Sequence, residues 1–347
     1  MNRIKQLFDE QFVIDLFRQE VLPHYPAFTS ISRVAIRPYK DMVWETTYHV
    51  VIAFDTYFLK ADGEEIKIPI VCSAHSSEPR KNVYQALKYL WAQGFPTEDI
   101  DLPDPIFYSE YFRGTFYRGL KGENLLYYIQ KRDYSAVEKI VASAARLFAR
   151  LHALPATTAA NFNPDNSRIR TVTPGSERIL MEMSQRYGNK YNDELKRLYS
   201  YFIRQEEEYF SATDQLLSLI HGDAHPENII QTAENRIGLI DFTDFCLGDF
   251  ARDIGTFLQQ LDYKVITKAR NPVYANELKT IFLDTYWEAS GRRPAADVLR
   301  RIDLYYNWTS VRTATYWFMK FNHDEVRAAE LLSTVKERVK SGDLDII

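Results

Sequence analysis

Residues 218–255 read SLIHGDAHPENIIQTAENRIGLIDFTDFCLGDFARDIG, and this stretch is the most informative part of the chain. It joins the tripeptide His-Gly-Asp at 221–223 to Asn228, and it carries Asp241 at the end of an apolar run. The pattern H-G-D-x-x-x-x-N is expected by chance in roughly 1 of 500 chains of this length. Short β-type runs, ENIIQ and RIGLIDF, indicate strands that place these polar residues at strand ends.

The Asp and Asn side chains of this stretch share one chemical feature, an oxygen atom that can bind a metal ion or a proton. Asp and Asn supply hard oxygen atoms, which suit Mg²⁺ and leave room for phosphate and water. Asp223 stands five residues before Asn228 in a predicted loop, where it could accept a proton from a substrate hydroxyl. Metal ligands, a carboxylate that orients the nucleophile and phosphate contacts are the parts that phosphoryl transfer needs.

Length and composition predict a folded protein of two lobes. The chain has 347 residues, above the ~250–300 residues at which a single core usually stops growing. Its apolar share of 46% and charged share of 26% are ordinary for a folded protein. The net charge of −4 gives no general attraction to phosphate backbones, so we expect no nucleic-acid partner.

Cysteine usage and hydropathy predict the cellular setting. The two cysteines, Cys72 and Cys246, are too few for a disulfide framework or a four-thiolate zinc site, which favours a cytoplasmic protein. The charged N-terminus lacks the pattern of a signal peptide. No apolar run approaches the ~20 residues of a membrane span, so we expect no membrane association.

The first 112 residues are predicted to form an antiparallel sheet with helices. Residues 1–20 have a helical apolar stripe, and the β-branched and aromatic runs that follow suit a pleated surface. Asp62-Gly63 is a hairpin signal, and Pro69 indicates an edge or a bulge. The predicted strands are SRVAIRP (32–38), TTYHVVIAFDTYFL (46–59), EEIKIPIVC (64–72) and PDPIFYSEYF (103–112), with a helix in RKNVYQALKYLWAQG (80–94).

The chain after Gly114 is predicted to be mainly helical. ENLLYYIQKR (123–132) forms one helix, and the next has a core-facing stripe from Val137 to Leu151. Residues 154–175 are expected to be a loop, residues 177–219 to hold one or two helices, and residues 251–345 to be helical again. The fold class is therefore α+β, with a boundary near residue 112.

The motif HGDAHPEN (221–228) followed by LIDF (239–242) resembles the aminoglycoside phosphotransferase and choline kinase group of the protein-kinase-like fold. LFARLHALP (147–155) is similar to the helix end upstream of that group's catalytic loop. The resemblance implies a bilobal fold, with a small antiparallel-sheet N-lobe over 1–112 and a larger, mainly helical C-lobe over 113–347. It also implies a small-molecule kinase that uses ATP or GTP and Mg²⁺.

The resemblance also assigns roles in the C-terminal half of the chain. It implies that Asp223 is the catalytic base and that His221 braces the loop. It also implies that Asn228 and Asp241 bind Mg²⁺. These three oxygen-bearing side chains, Asp223, Asn228 and Asp241, are expected to converge on a cation that bridges a triphosphate.

In the N-terminal half the resemblance places the inter-lobe hinge at FYSEYFRG (107–114). There Glu110, Tyr111 and Phe112 would contact the nucleotide.

The N-terminal half departs from the pattern of that group. The turn PYKDMVWETT (38–47) has no glycine, although glycine lets a backbone approach phosphate most easily. Lys67 is the only lysine in EEIKIPIVC, so it is the candidate phosphate ligand, but it lies early in its strand. The end of the strand has only His75, and Glu78 is the acidic residue near the start of the next helix.

Three functions remain open on the sequence. The first is a kinase that transfers the γ-phosphoryl group to a hydroxyl of an aminoglycoside, choline, sugar or amino alcohol, acting as a monomer or homodimer. The second is a pseudokinase or nucleotide-binding scaffold, and the third is a metal-dependent hydrolase using His221, Asp223 and His225. Asp249 and Asp253 are expected to cap the helix 250–261.

Overall fold

The computed structural model describes residues 2–156, 168–171, 175–212 and 217–341. The chain forms two compact units, Met1–Glu123 with Ile230–Thr243 and Asn124–Ile229 with Asp244–Ile347. The expected α+β class is confirmed, with an antiparallel sheet in the N-terminal region and helices in the C-terminal region.

The first unit is built on a five-stranded sheet whose paired strands run antiparallel. Helix α1 (Glu10–Glu20) packs on this sheet, where the ring of Phe17 lies 5.2 Å from that of Phe54 and 6.1 Å from that of Phe116. Such edge-on aromatic contacts add to the burial of the apolar face. In sheet order the strands are β1 (Ser30–Val43), β2 (Tyr48–Leu59), β3 (Glu65–His75), β6 (Gly114–Arg118) and β5 (Asp104–Ser109).

Pro69 lies in β3, which is an interior strand rather than an edge strand. It pairs with Asp55 of β2, and its carbonyl accepts a hydrogen bond of 2.9 Å from the N–H of Gly119. Because the N–H and C=O of one strand residue point the same way, the missing donor of Pro69 faces the side of β6. The pairing of β3 with β6 begins only at Ile70, so the proline interrupts no ladder.

A smaller four-stranded sheet has the order β4-β10-β9-β7. Ile237 in β10 pairs in parallel with Ile100 in β4, and Asn235 makes the tight turn before β10 with a φ of 58°. The strands are β4 (Ile100–Asp101), β7 (Glu123–Asn124), β9 (Ile229–Ala233) and β10 (Arg236–Leu239), and helix α2 (Lys81–Ala92) belongs to the same unit.

The structure corrects the predicted position of the hinge. Residues 107–114 form the end of β5, a turn and the start of β6, all inside the first unit. The chain leaves this unit after Glu123 because β6 is still paired with β3 and β5. The prediction placed the hinge one strand too early, since the sequence does not show that two consecutive strands form a hairpin.

The second unit is mainly helical, as predicted. The expected stripe of helix α4 is buried, and Phe148 in α4 contacts the ring of Phe257 at 5.5 Å. The two-stranded sheet of β8 (Leu217–Ile220) and β11 (Cys246–Asp249) joins these helices. The helices are α3 (Leu125–Lys131), α4 (Tyr134–His152), α5 (Ser176–Tyr187), α6 (Asn192–Ala212), α7 (Phe250–Lys264), α8 (Pro272–Ser290), α9 (Ala296–Met319) and α10 (Glu325–Ser341).

The predicted loop 154–175 lies largely outside the described residues. In the ranges that the structure describes, none of the helices combines the length and the apolar character needed to cross a bilayer.

Candidate functional site

The loop 221–228 of the second unit begins where β8 ends. Ile220, the last residue of β8, pairs with Cys246 of β11, and Leu217 pairs with Asp249. Apolar residues in both strands bury this ribbon, which fixes the position at which the polar loop starts.

Gly222 allows the loop to turn at this point. Its φ is +83°, a backbone conformation that is strained for any residue with a side chain. A Cβ atom here would also lie 2.3 Å from the backbone oxygen of Asp244. The residue must therefore be glycine on two independent grounds. The turn aims the next residue, Asp223, away from the buried ribbon, and its side chain is 35% exposed.

Asp253, in the first turn of α7, anchors the loop. Its carboxylate accepts hydrogen bonds from the backbone N–H of His221 at 2.6 Å and of Gly222 at 2.9 Å. His152 Nε2 lies 3.2 Å from the same carboxylate, and His152 Nδ1 lies 2.9 Å from the hydroxyl of Tyr286. Because a carboxylate only accepts, Nε2 carries the proton and Nδ1 accepts from the tyrosine.

The electrostatics of this anchor agree with that assignment. Burial lowers the pKa of His152, so its ring is neutral. Burial alone would raise the pKa of the Asp253 carboxyl, but the hydrogen bond from His152 and the backbone N–H of His221 hold it below its usual value. An ionised carboxylate thus binds the start of the loop.

Asp249 caps α7 as predicted, accepting from Ala251 N at 3.0 Å, whereas Asp253 binds the loop instead of capping the helix.

Asn228 closes the other end of the loop. Its amide nitrogen donates to the backbone oxygen of Asp223 at 3.0 Å, and the side chain is buried. The Asn228 side chain therefore contacts the backbone of Asp223 and ties the two ends of the loop together.

A chain of charged groups leads away from Asp223. His225 Nε2 lies 3.4 Å from Asp223 Oδ2, and His225 Nδ1 lies 3.0 Å from Glu227 Oε2. The ammonium of Lys264, at the end of α7, donates to the other oxygen of Glu227. Carboxylates and cations alternate along this chain, so each charge has an opposite neighbour.

The pKa shifts follow from that alternation. Burial lowers the pKa of His225, but the carboxylates of Asp223 and Glu227 outweigh it and raise that pKa to about 10. Burial raises the pKa of Asp223, yet the imidazolium of His225 brings it well below its usual range. In the same way, His225 and Lys264 lower the pKa of Glu227 to about 2. Asp223 is therefore a carboxylate at neutral pH.

Asp241 belongs to the first unit and is exposed at the end of β10. Its φ of +63° is unusual for a residue with a side chain, and such strain tends to occur at functional positions. Its Oδ1 accepts a hydrogen bond of 2.6 Å from the hydroxyl of Thr243. The backbone oxygen of Thr243 in turn accepts from the amide of Asn82 in α2 at 2.6 Å, which ties the segment to its own unit.

The predicted nucleotide contacts of the first unit are placed as follows. Lys67 lies in β3, half-exposed, with its ammonium 3.5 Å from the carboxylate of Asp55. Glu110 pairs with Lys81 at 2.9 Å. Tyr111 is exposed and Phe112 is buried in the same hairpin turn. The prediction that Glu110, Tyr111 and Phe112 contact the nucleotide was based on the hinge position corrected above, so this basis is lost.

Asn228 in the second unit and Asp241 in the first unit each carry a side-chain oxygen, the donor type that a small hard cation such as Mg²⁺ prefers. Both side chains present oxygen, and the Asn228 amide is held so that its oxygen remains an acceptor. Within the ranges of the chain that are described, no three His, Cys, Asp or Glu side chains converge as a metal-binding group. The zinc site that the hydrolase alternative needs at His221, Asp223 and His225 is therefore not formed, and both ring nitrogens of His225 face carboxylates.

Sequence reasoning missed several participants. His152 stands in the segment LFARLHALP, which already carried a resemblance, so that signal could have found it. Glu227 lies inside the motif but was not assigned a role. Lys264 and Tyr286 had no sequence signal, since only the packing of α7 and α8 brings them near the loop.

Comparison with known protein families identifies one whose model matches most of the chain. The model of the family described as "Phosphotransferase enzyme family" matches residues 45–300. This range includes the loop 221–228 and Asp241. No curated protein matches the chain.

Solved structures of low identity share the fold. A thermostable mutant of aminoglycoside phosphotransferase APH(4)-Ia matches with a TM-score of 0.55 at 14% identity, covering 96% of this chain and 99% of that chain. Plasmodium vivax ethanolamine kinase matches with a TM-score of 0.54 at 13% identity, covering 89% and 83%. Amicoumacin kinase hAmiN, in complex with AMP-PNP, Ca²⁺ and Ami, matches with a TM-score of 0.53 at 14% identity, covering 99% and 97%.

Proposed function

Because the chain belongs to the phosphotransferase enzyme family, we propose that it transfers the γ-phosphoryl group of ATP or GTP to a hydroxyl group of a small molecule. The family match agrees with the prediction of a small-molecule kinase. Residue roles and the acceptor are parts of this proposal.

The observation that carries the proposal is the state of Asp223. It is a partly exposed carboxylate, held ionised beside His225, on a loop that Asp253 and Asn228 anchor at both ends. A carboxylate in this state accepts the proton of an alcohol and orients its oxygen for attack. Rigid support matters because small displacements of a reacting group cost much of the rate.

The proposed transfer forms one bond to the γ-phosphorus and breaks another. The acceptor hydroxyl gives its proton to Asp223 as its oxygen forms a bond to the γ-phosphorus. The bond between that phosphorus and the bridging oxygen breaks, and the nucleoside diphosphate leaves with the electron pair. Asp223 then releases the proton to solvent.

Two residues are proposed to hold Mg²⁺, namely Asn228 through its amide oxygen and Asp241 through its carboxylate. When bound, the cation supplies charge neutralisation for the phosphate oxygens. Asn228 also keeps the loop closed through its bond to Asp223, so we expect its loss to affect both functions.

The acceptor is proposed to be a hydroxyl compound of the aminoglycoside, choline, sugar or amino-alcohol type. Support comes from the solved neighbours, whose names include an aminoglycoside phosphotransferase and an ethanolamine kinase. An acceptor screen with representatives of each type, read by formation of nucleoside diphosphate, separates them.

The test compares wild type with Asp223→Ala in Mg²⁺ with ATP or GTP and an acceptor panel. Wild type should form phosphorylated acceptor, and the variant should lose at least ~10²-fold in kcat while keeping its melting temperature. His24→Asn, an exposed histidine of the first unit, is the matched control and should leave kcat unchanged. An active Asp223→Ala protein would contradict the proposal.

A pseudokinase or nucleotide-binding scaffold remains the second candidate. The observation that favours it is the hairpin turn between β1 and β2, which holds no glycine and closes with a bond of 2.9 Å from Trp44 N to Thr47 O. Nucleotide binding without any phosphorylated product across the panel would support this alternative.

A further inference from the structure

A cavity of about 290 Å³ lies in the second unit, between α7, α9 and α10. One wall is a single face of α10, on which Arg327, Leu331 and Arg338 follow each other at helical spacing. Tyr306 and Ser310 of α9 form a second wall. The volume is close to the lower end of the ~300–1,000 Å³ range of small-molecule sites, so the cavity has room for a small organic molecule.

A π-helix, Val265–Ala269, forms another part of the wall and follows α7 directly. The N–H of Arg270 donates to the carbonyl of Val265 at 3.1 Å, a bond across five residues that widens the turn. Ile266 and Thr267 of this turn line the cavity, and Ile266 is 43% exposed. Such turns are rare and are frequent at functional sites, so this one marks the cavity independently of its volume.

The carboxylate of Asp262 in the wall is already satisfied by the protein. It accepts a hydrogen bond from the hydroxyl of Tyr306, and it lies 3.7 Å from the ammonium of Lys279 in α8. Both members of the ion pair are largely buried. Burial and the charge of Asp262 raise the pKa of Tyr306 well above its usual value, so the phenol keeps its proton and goes on donating. Asp262 therefore needs no cationic ligand.

The remaining charged groups of the wall carry a positive excess. With Asp262 paired to Lys279, they are the two guanidinium groups of Arg327 and Arg338 and the carboxylate of exposed Glu330. Two positive groups against one negative group leave an excess of one positive charge. An anionic ligand is thus favoured over a cationic one.

Arg327 is held in place and keeps donors for a ligand. Its guanidinium lies 4.8 Å from the centre of the Trp317 ring, its Nη1 donates to the hydroxyl of Tyr263 at 3.5 Å, and its Nε lies 3.5 Å from Asp324. These contacts use about two of the five N–H donors of the group. Asp324 is 36% exposed, so this ion pair is weak and a ligand can compete with it.

The rest of the wall is apolar or aromatic. Leu331 and Val335 of α10 line the cavity together with Ile266 and the rings of Tyr263 and Tyr306. Val335 and Tyr306 are buried, so packing fixes their positions. A ligand with an apolar body removes this surface from water, which is the main driving force for binding in such a site.

The cavity is separate from the loop 221–228. Among the described residues that line it, none belongs to that loop. Lys264, which binds Glu227 of the loop, follows Tyr263 in the chain and therefore lies about 100° further around α7. The face of α7 that lines the cavity thus differs from the face that contacts the loop.

We infer that this cavity is an accessory binding site for a small organic carboxylate with an apolar body about the size of one ring. A guanidinium such as that of Arg327 binds a carboxylate through two parallel N–H bonds. The excess of a single positive charge favours a monoanion over a phosphate dianion. Binding here does not depend on the proposed function, because Asp223 takes no part in it.

The first test is a ligand-observed NMR titration of the full chain with benzoate, 3-phenylpropionate and 4-methylpentanoate. The primary amides of the same three acids are the neutral counterparts. At least one carboxylate should bind with a Kd of about 1 mM or tighter, as expected for ligands of this size. Its amide should bind at least ~10-fold more weakly, since it loses the charge-assisted hydrogen bonds.

Thr334→Trp fills the cavity from an exposed position of α10. Thr334 lines the cavity, and its hydroxyl donates to the backbone oxygen of Glu330 at 2.9 Å. The variant should weaken carboxylate binding at least ~10-fold with an unchanged melting temperature. Thr280→Trp is the matched control, because exposed Thr280 of α8 makes the same kind of bond, to Asn276 O at 3.2 Å, and does not line the cavity.

Arg327→Met tests the charge and decides the question if Thr334→Trp does not fold. It should weaken carboxylate binding about 10-fold and leave amide binding unchanged. Arg18→Met is the matched control, since Arg18 is also paired with an aspartate three residues earlier, and it should change the Kd less than about twofold.

Equal binding of carboxylates and amides, or full binding by Thr334→Trp, would overturn the inference. If Thr334→Trp raises the KM for a phosphorylated acceptor in step with its loss of carboxylate binding, the cavity is the acceptor site and the accessory assignment is wrong. An unchanged KM for that acceptor supports the assignment. If wild type binds a carboxylate through Arg327 but phosphorylates no acceptor, only the proposed function fails.

Discussion

His225 Nε2 lies 3.4 Å from Asp223 Oδ2, and the opposite nitrogen of the same ring lies 3.0 Å from Glu227 Oε2. The imidazolium is thus clamped between two carboxylates, and Lys264 holds the outer one. In this arrangement the candidate base has a fixed cationic partner. His225 is a positioning residue, since its argued effect passes through Asp223.

Replacing His225 by Asn should lower kcat about 10-fold, which corresponds to ~1.4 kcal/mol, with little change in the KM for nucleotide. The reason is that Asp223 loses the partner that fixes its rotamer and its charge. Steady-state kinetics measure the effect, and Lys264→Met should cause a smaller loss that Lys264→Arg restores. A parallel rise in KM with unchanged kcat would show that His225 acts in binding instead.

Gly222→Ala should abolish activity and lower the melting temperature. Two costs add here, the left-handed backbone at ~1–2 kcal/mol and the clash of the new Cβ with the oxygen of Asp244. Gly188→Ala is the matched control, since Gly188 has a φ of +60° but nothing within 4 Å of a Cβ. Thermal melts should show a clearly larger loss for Gly222→Ala, and equal losses would mean that the clash is relieved.

Asp253→Asn should destabilise the second unit by ~3 kcal/mol and lower kcat further than the loss of stability explains. The amide keeps one acceptor for the two backbone N–H groups of His221 and Gly222, and its NH₂ faces donors. Chemical denaturation and kinetics at a temperature where the variant is folded measure both effects. Asp15→Asn, whose carboxylate is 54% exposed, should be neutral. Full activity of folded Asp253→Asn would contradict the anchoring role.

The stability of the protein should fall as the pH drops from about 6.5 through about 4, in part because of His49. Its pKa is lowered to about 4 in the folded protein from 6.5, so the unfolded chain binds more protons between these values. The contribution is therefore present above the unfolded pKa and is lost as the pH falls through the folded one. Lys40, Arg80 and His75 cause the shift after burial, and Asp241 opposes it.

Denaturation at pH 7 and pH 4.5 measures this contribution, and His49→Gln should lose less stability between the two. An NMR titration of the histidine ring protons should place the His49 pKa well below the ordinary histidine value of 6.5. A pKa near 6.5 for His49 would show that the two cations do not act on its ring.

Local patterns were enough to predict most elements of this fold, although β6 (Gly114–Arg118) lies in the part of the chain that was predicted to be mainly helical. The strands of the first unit follow from β-branched and aromatic runs, and the stripe from Val137 to Leu151 is buried as its spacing requires. The pairing of strands was not predictable in the same way. The hinge was placed too early because a hairpin between β5 and β6 depends on contacts that no single segment records.

The amino-acid sequence by itself determined the composition of the loop 221–228. Gly222, Asp223 and Asn228 are close in the chain, so their geometry follows from a short turn and one hydrogen bond. Tertiary structure alone decided which residues act on that loop and which residues meet at His49. Asp253 and Lys264 reach the loop from α7, and His152 reaches it from α4, while Lys40 and Arg80 meet at His49 from separate elements. Electrostatic partners act through space, and residues distant in the chain become neighbours only when the helices and strands pack.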